Sequence, residues 1–155
     1  LWIDGEEVGE LGWNARLAGA LGTPVGLVTG DDATVAEATD ELDGPETVQV
    51  KEGIDRFSAR CRPTEETQAA ITEASYRAVE RAATGALSPI ATDGPITITV
   101  TWTTTNQAAR AANMPGVDRQ SVRRTAVTAD SYPPAFDAAV AMLRAGGSGA
   151  NEYYG

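Results

Sequence analysis

The stretch "VGELGWNA", residues 8–15, sets Glu10 between Gly9 and Gly12 where an apolar pattern of helical spacing begins, with Asn14 four residues further on. A glutamate in that place can serve simply to complement the dipole and the free amides of a first helical turn. The flanking glycines also let backbone or ligand come close, and Asn14 falls one turn along the same face, so a ligand position with a polar neighbour is the second reading.

"TGDD", residues 29–32, follows an apolar run and opens another helical pattern, where Asp31 or Asp32 can serve as the cap. If the run is a parallel strand, two acids at its carboxyl end also stand on the edge where open α/β sheets gather ligands. Lys51 ends the stretch "TVQV" on that same expected edge, with Arg56 and Arg60 close behind. It can be a solvated surface cation, or it can bind a substrate carboxylate or pair with a site acid. Cys61 lies between Arg60 and Arg62, yet with no histidine base and no second cysteine it reads as an inert thiol.

The composition narrows the chemistry. There is no histidine, which excludes a Ser-His-Asp triad, a Cys-His pair and a histidine-ligated metal built from these 155 residues alone. No glycine run has the spacing of a phosphate loop or a dinucleotide fingerprint. Twelve basic against 22 acidic residues, a net charge of -10, argue against nucleic acid or an anionic membrane as partner. No apolar stretch nears the roughly 20 residues of a membrane span. One cysteine permits no intrachain disulfide, and a cytoplasmic location is expected.

The elements that must position these residues follow from periodicity. "LWI" runs into a "DG" turn, and a helix is expected over about 10 to 21, stopped by Gly22 and Pro24. "PVGLVTG" reads as a strand covered on both faces, "DDATVAEATDEL" as a helix and "ETVQVKEG" as a single strand. A long helix begins at Pro63, with acids in its first turn and arginines near its end. "GPITITVTWTTT" puts Ile96, Ile98, Val100 and Trp102 on one face and threonines on the other, the mark of a half-buried antiparallel strand. "NQAARAANM" predicts a short helix, "SVRRTAVTA" a last strand and "PPAFDAAVAMLRA" a closing helix. The order predicts an α/β layered sandwich, a mixed, partly parallel sheet flanked by helices, as one domain over 1–145 with a flexible tail over 146–155.

Taken together, "DGEEVGELGWNARLAGALGTPVGLVTGDD", "ETVQVKEGIDRFSARCRP" and "ANMPGV" resemble, in consistent order, the carboxyl-terminal half of the DppA-type zinc D-aminopeptidases. The resemblance runs from about residue 2 to residue 145. It implies that Glu10 is the last ligand of a site for two zinc ions, with Asn14, Asp31 and Lys51 as lesser candidates for substrate or supporting contacts. It implies hydrolysis of short peptides with an amino-terminal D-residue, often D-alanine, by a homo-oligomer. The further ligands that the family places in its amino-terminal half are absent here, so the isolated chain is expected to be inactive and its missing half to be a partner. The rival reading is a non-catalytic α/β binding or assembly module, in which Glu10 only starts a helix.

Overall fold

Asp4 and Gly5 both take positive φ, 50° and 92°, the left-handed pair that a two-residue turn between twisted strands requires. They join β1 (Trp2–Ile3) to β2 (Glu6–Glu7), as the "DG" signal predicts. The computed structural model describes residues 1–148, which divide into two compact units: Leu1–Gly9 with the chain from Thr92 onward, and Glu10–Ala91. The second interrupts the sequence of the first, so no linker between consecutive domains exists for a sequence reading to find. Among the described residues, no helix is long and apolar enough to cross a membrane.

The first unit is built on a five-stranded sheet of order β2-β1-β7-β9-β8, antiparallel at every pairing. Its other strands are β7 (Ile96–Thr101), β8 (Val117–Ser121) and β9 (Arg124–Ala129). The alternation read in "ITITVT" holds for Ile96, Ile98 and Val100, which are buried, but Thr99 on the other face is buried too; Ile98 stands opposite Val127, and Val100 opposite Thr125. Two helices of the unit, α4 (Thr105–Ala112) and α5 (Tyr132–Gly147), pack on these strands and on each other. The contact is made through small side chains, with Ala108, Ala111, Ala135 and Ala139 at 0% exposure.

The stretch expected as one last strand, "SVRRTAVTA", instead holds the last residue of β8, the turn and the second arm of a hairpin whose first arm is β8. That arm, "VDRQS", lies at the sheet edge with four of its five residues exposed, so it carries no apolar period for a sequence reading to detect. Helix α5 continues through Gly146 and Gly147, two residues into the expected tail. Gly146 is buried against the indole of Trp102, where a side chain would collide. The expected tail from residue 149 onward lies outside the described residues.

The second unit contains α1 (Glu10–Ala20), β3 (Leu27–Gly30), α2 (Asp32–Glu41), β4 (Glu46–Gln49), β5 (Lys51–Asp55), β6 (Ser58–Cys61) and α3 (Thr64–Ala83). Strands β3 and β4 pair in parallel over Leu27–Gly30 and Glu46–Gln49. Val28 packs with Ala15, Ala38 and Leu42 in a core that Leu11, Val25 and Ile90 extend. Burying these side chains contributes stability in proportion to the apolar area removed from water. Helix α3 lies along β3 and β4, and its Arg77 and Arg81 both reach the Glu46 carboxylate, at 2.9 and 3.3 Å.

The expected single strand "ETVQVKEG" breaks at Val50. The Val50 amide donates to the Gly30 carbonyl, continuing the parallel ladder, while the Val50 carbonyl accepts from the Arg62 amide, both at 2.9 Å. One residue thereby passes the chain from the β3–β4 pair to the hairpin β5–β6. Lys51 consequently begins β5 rather than ending the strand before it. Among the described residues parallel and antiparallel strands both occur, flanked by five helices, so the α/β class holds, with the strands distributed over three sheets.

Candidate functional site

Glu10 is the first residue of α1 and is exposed. Its carboxylate has no hydrogen-bond or ion-pair partner among the described residues. Asn14 is also exposed, and its Nδ2 donates to the main-chain carbonyl of Glu10 at 2.9 Å. The amide of Asn14 is thus turned onto the backbone of Glu10 and away from any bond to its carboxylate. Gly12 serves a different purpose from ligand access: a Cβ there would collide with the Glu41 carboxylate. Its bareness leaves room for Arg16, whose Nη1 donates to the Gly12 carbonyl at 3.1 Å and reaches Glu41 Oε2 at 3.4 Å.

Asp31 caps α2, as the sequence predicts. Its Oδ1 accepts from the amide and the hydroxyl of Thr34, both at 2.8 Å. The Thr34 amide first, then the Thr34 hydroxyl, holds the Asp31 carboxyl below its ordinary value against a smaller desolvation effect, and the charge of Lys51 acts in the same direction. Asp32 does what the sequence reading left undefined: its Oδ1 accepts from the Gly53 amide of β5 at 2.9 Å.

Asp31 and Lys51 come together on one cleft of about 260 Å³, which is also lined by Asp55, Arg56, Phe57 and Ser58. Glu10 and Asn14 do not line it. The structure therefore separates the sequence candidates into two places, the start of α1 and the cleft between the start of α2 and the β5–β6 hairpin.

Asp55, Phe57 and Ser58 are absent from the sequence reading because the hairpin lacks the usual Asn-Gly or Asp-Gly signature. Its turn residues, Arg56 and Phe57, are held by Asp55. That carboxylate accepts from the Phe57 amide and the Ser58 hydroxyl, each at 2.7 Å, an Asx-type closure that needs no positive φ. The Ser58 hydroxyl foremost, and then the Phe57 amide, keep the Asp55 carboxyl below its ordinary value. The spacing Asp55-x-x-Ser58 is the signal that could have revealed the turn.

Among the described residues no group of three or more histidine, cysteine, aspartate or glutamate side chains could hold a metal ion. A carboxylate such as that of Glu10 is a chemically suitable zinc donor, ionised at neutral pH and able to ligate or bridge. One donor is short of the three or four protein ligands that zinc sites use. The described residues by themselves do not fit a complete zinc site.

The profile of the D-aminopeptidase family matches residues 1–141, and the chain belongs to that family. A D-aminopeptidase of Bacillus subtilis (strain 168) is 29% identical over 117 residues, 76% of this chain and 42% of that protein. A solved structure described as the Zn-dependent D-aminopeptidase DppA from Bacillus subtilis, a self-compartmentalizing protease, matches 99% of this chain and 55% of its own, with a TM-score of 0.89 at 24% identity. The fold is thus shared with that protein, and the chain spans about half the length of the relatives it matches.

Proposed function

We propose that the protein carrying this chain is a zinc-dependent D-aminopeptidase that hydrolyses short peptides with an amino-terminal D-residue such as D-alanine. The observation that carries the reading is Glu10: an exposed carboxylate without a described partner, at the head of α1, inside a family match that covers residues 1–141. In the proposal Glu10 is one ligand of a site for two zinc ions, and its other ligands come from chain beyond these 155 residues. The B. subtilis relative described as zinc-dependent supports zinc as the metal.

Lys51 and Asp31 are proposed to act on substrate rather than metal. The Lys51 ammonium, on the same cleft as the Asp31 carboxylate, suits the carboxylate of a short peptide. Asn14 is proposed to steady the first turn that presents Glu10. The working protein is proposed to be a cytoplasmic homo-oligomer; the description of the B. subtilis protein as a self-compartmentalizing protease supports the oligomer alone.

The test uses the complete gene product. Metal analysis should find zinc, and D-alanyl amides should be hydrolysed in preference to their L-counterparts. Glu10→Ala should lose one zinc ion and most turnover while the fold persists; retention of both would refute the role. The 155-residue chain alone should bind zinc weakly and turn over no D-alanine anilide. A complete product that neither holds zinc nor cleaves any aminoacyl amide would leave the non-catalytic α/β module as the better account.

A further inference from the structure

The β5–β6 hairpin forms a two-stranded sheet of its own, and every residue from Glu52 to Cys61 is exposed. Hairpins of two strands are marginal in water unless something packs on them. The apolar side chains near the tip of this one are bare: Phe57 is 92% exposed and Ile54 61%. Arg56 lies over the Phe57 ring, its guanidinium carbon 5.8 Å from the centroid.

Its charge is opposite to that of the rest of the molecule. Residues 51–62 hold four of the twelve cations, Lys51, Arg56, Arg60 and Arg62, and only two of the 22 acids, Glu52 and Asp55. Glu52 is paired with Arg60 at 3.1 Å, and both oxygens of Asp55 are engaged within the turn. Arg56 and Arg62 have no carboxylate partner among the described residues, since Arg62 reaches the Gln49 side-chain oxygen at 3.2 Å. Two copies of a chain with net charge -10 repel one another over most of their surfaces, and a basic projection is where contact becomes favourable. Because salt screens charges beyond about 8 Å, that attraction acts at contact range and fixes where the copies meet. An exposed aromatic with an arginine beside it is also the composition of an interface anchor.

We infer that the hairpin Lys51–Cys61 is an intersubunit arm, which sets Arg56 and Arg62 against carboxylates of a second copy of this chain and buries Phe57 and Ile54 in the same contact. The inference rests on the homo-oligomer reading above and adds to it the element that makes the contact.

The experiment measures the mass of the complete gene product by light scattering, as wild type and as the double substitution Ile54→Glu and Phe57→Glu. It is paired with hydrogen exchange of the wild-type amides 52–60 above and below the assembly concentration. The inference expects a wild-type multimer, loss of the multimer mass in the variant, and slower exchange of the hairpin amides in the assembled wild type. A variant that keeps the multimer mass, or hairpin amides that exchange equally fast assembled and dissociated, overturns the arm and leaves the homo-oligomer reading intact. If the variant fails to fold, the wild-type exchange measurement decides alone. A wild type that is monomeric at every concentration overturns both.

Discussion

The carboxylate of Asp32 accepts a hydrogen bond from the amide of Gly53 at 2.9 Å, joining the first turn of α2 to the middle of β5. Adjacent acids thereby take separate tasks: Asp31 caps its own helix and borders the cleft, while Asp32 holds the opposite wall in place.

Asp32→Ala should loosen the hairpin without uncapping α2. The Gly53 amide should exchange faster with solvent, and global stability should fall by about 1 kcal/mol or less, because the bond is exposed. Hydrogen exchange resolved by residue measures the first and urea unfolding the second. Unchanged exchange at Gly53 would mean that the hairpin is held elsewhere.

Acid should weaken the second unit in a defined window. Asp31 is held below its ordinary value chiefly by the Thr34 amide, and Glu46 chiefly by its hydrogen bond from Arg77. A carboxyl with a depressed folded value gives stability that is present above its unfolded value and is lost as pH falls through the folded one. The losses should therefore begin near pH 4.5 for Glu46 and near 3.8 for Asp31, and be complete below the depressed values. Urea midpoints of wild type and of Asp31→Asn with Glu46→Gln should differ at neutral pH and converge in acid.

Thr125→Val tests the buried polar contact of the first unit. Thr125 is fully buried, and its hydroxyl accepts from Trp102 Nε1 at 2.8 Å and donates to Met142 Sδ at 3.2 Å. Valine keeps the shape and strands the indole N–H, so a loss of about 1–3 kcal/mol is expected in urea unfolding. A neutral result would mean that the indole finds another acceptor.

Gly146→Ala and Gly147→Ala make a matched pair on α5. A Cβ at Gly146 would run into the Trp102 ring, whereas at Gly147 it would meet open space. The first should cost about 1–3 kcal/mol through overpacking. The second should be neutral or stabilising, by at most about 1 kcal/mol, since alanine is the better helix former. Equal melting temperatures for the two would contradict the packing described for Gly146.

Much of the fold was legible where burial imposes a period. The helix at Glu10, the Asp31 cap, the threonine-rich strand and the closing helix all follow from spacing, because one face of each must leave water. The two edge arms escaped: β6 is wholly exposed and β8 nearly so, and a strand solvated on both faces carries no alternation. The break at Val50 escaped as well, since "VQVKEG" alternates straight through it.

Asp31 and Lys51 were singled out for the strand edge they were expected to share, and they do share a cleft, although Lys51 arrives there as the start of a new strand. The turn formed by Asp55 and Ser58, and the tie from Asp32 to Gly53, depend on hydrogen bonds between side chain and backbone that no hydrophobic period encodes.

By itself the sequence determined the α/β class, the helix starts, the lack of a histidine among these 155 residues and, through motif order, the family resemblance that residues 1–141 confirm. These are properties of residue type and local spacing. Only the tertiary structure decided that Glu10 stands without a described partner while Arg16 and Glu41 occupy the space beside Gly12, and that a basic hairpin projects bare from an acidic chain. Those facts depend on which residues, distant in sequence, are brought within bonding distance, and pairwise geometry of that kind leaves no periodic trace along the chain.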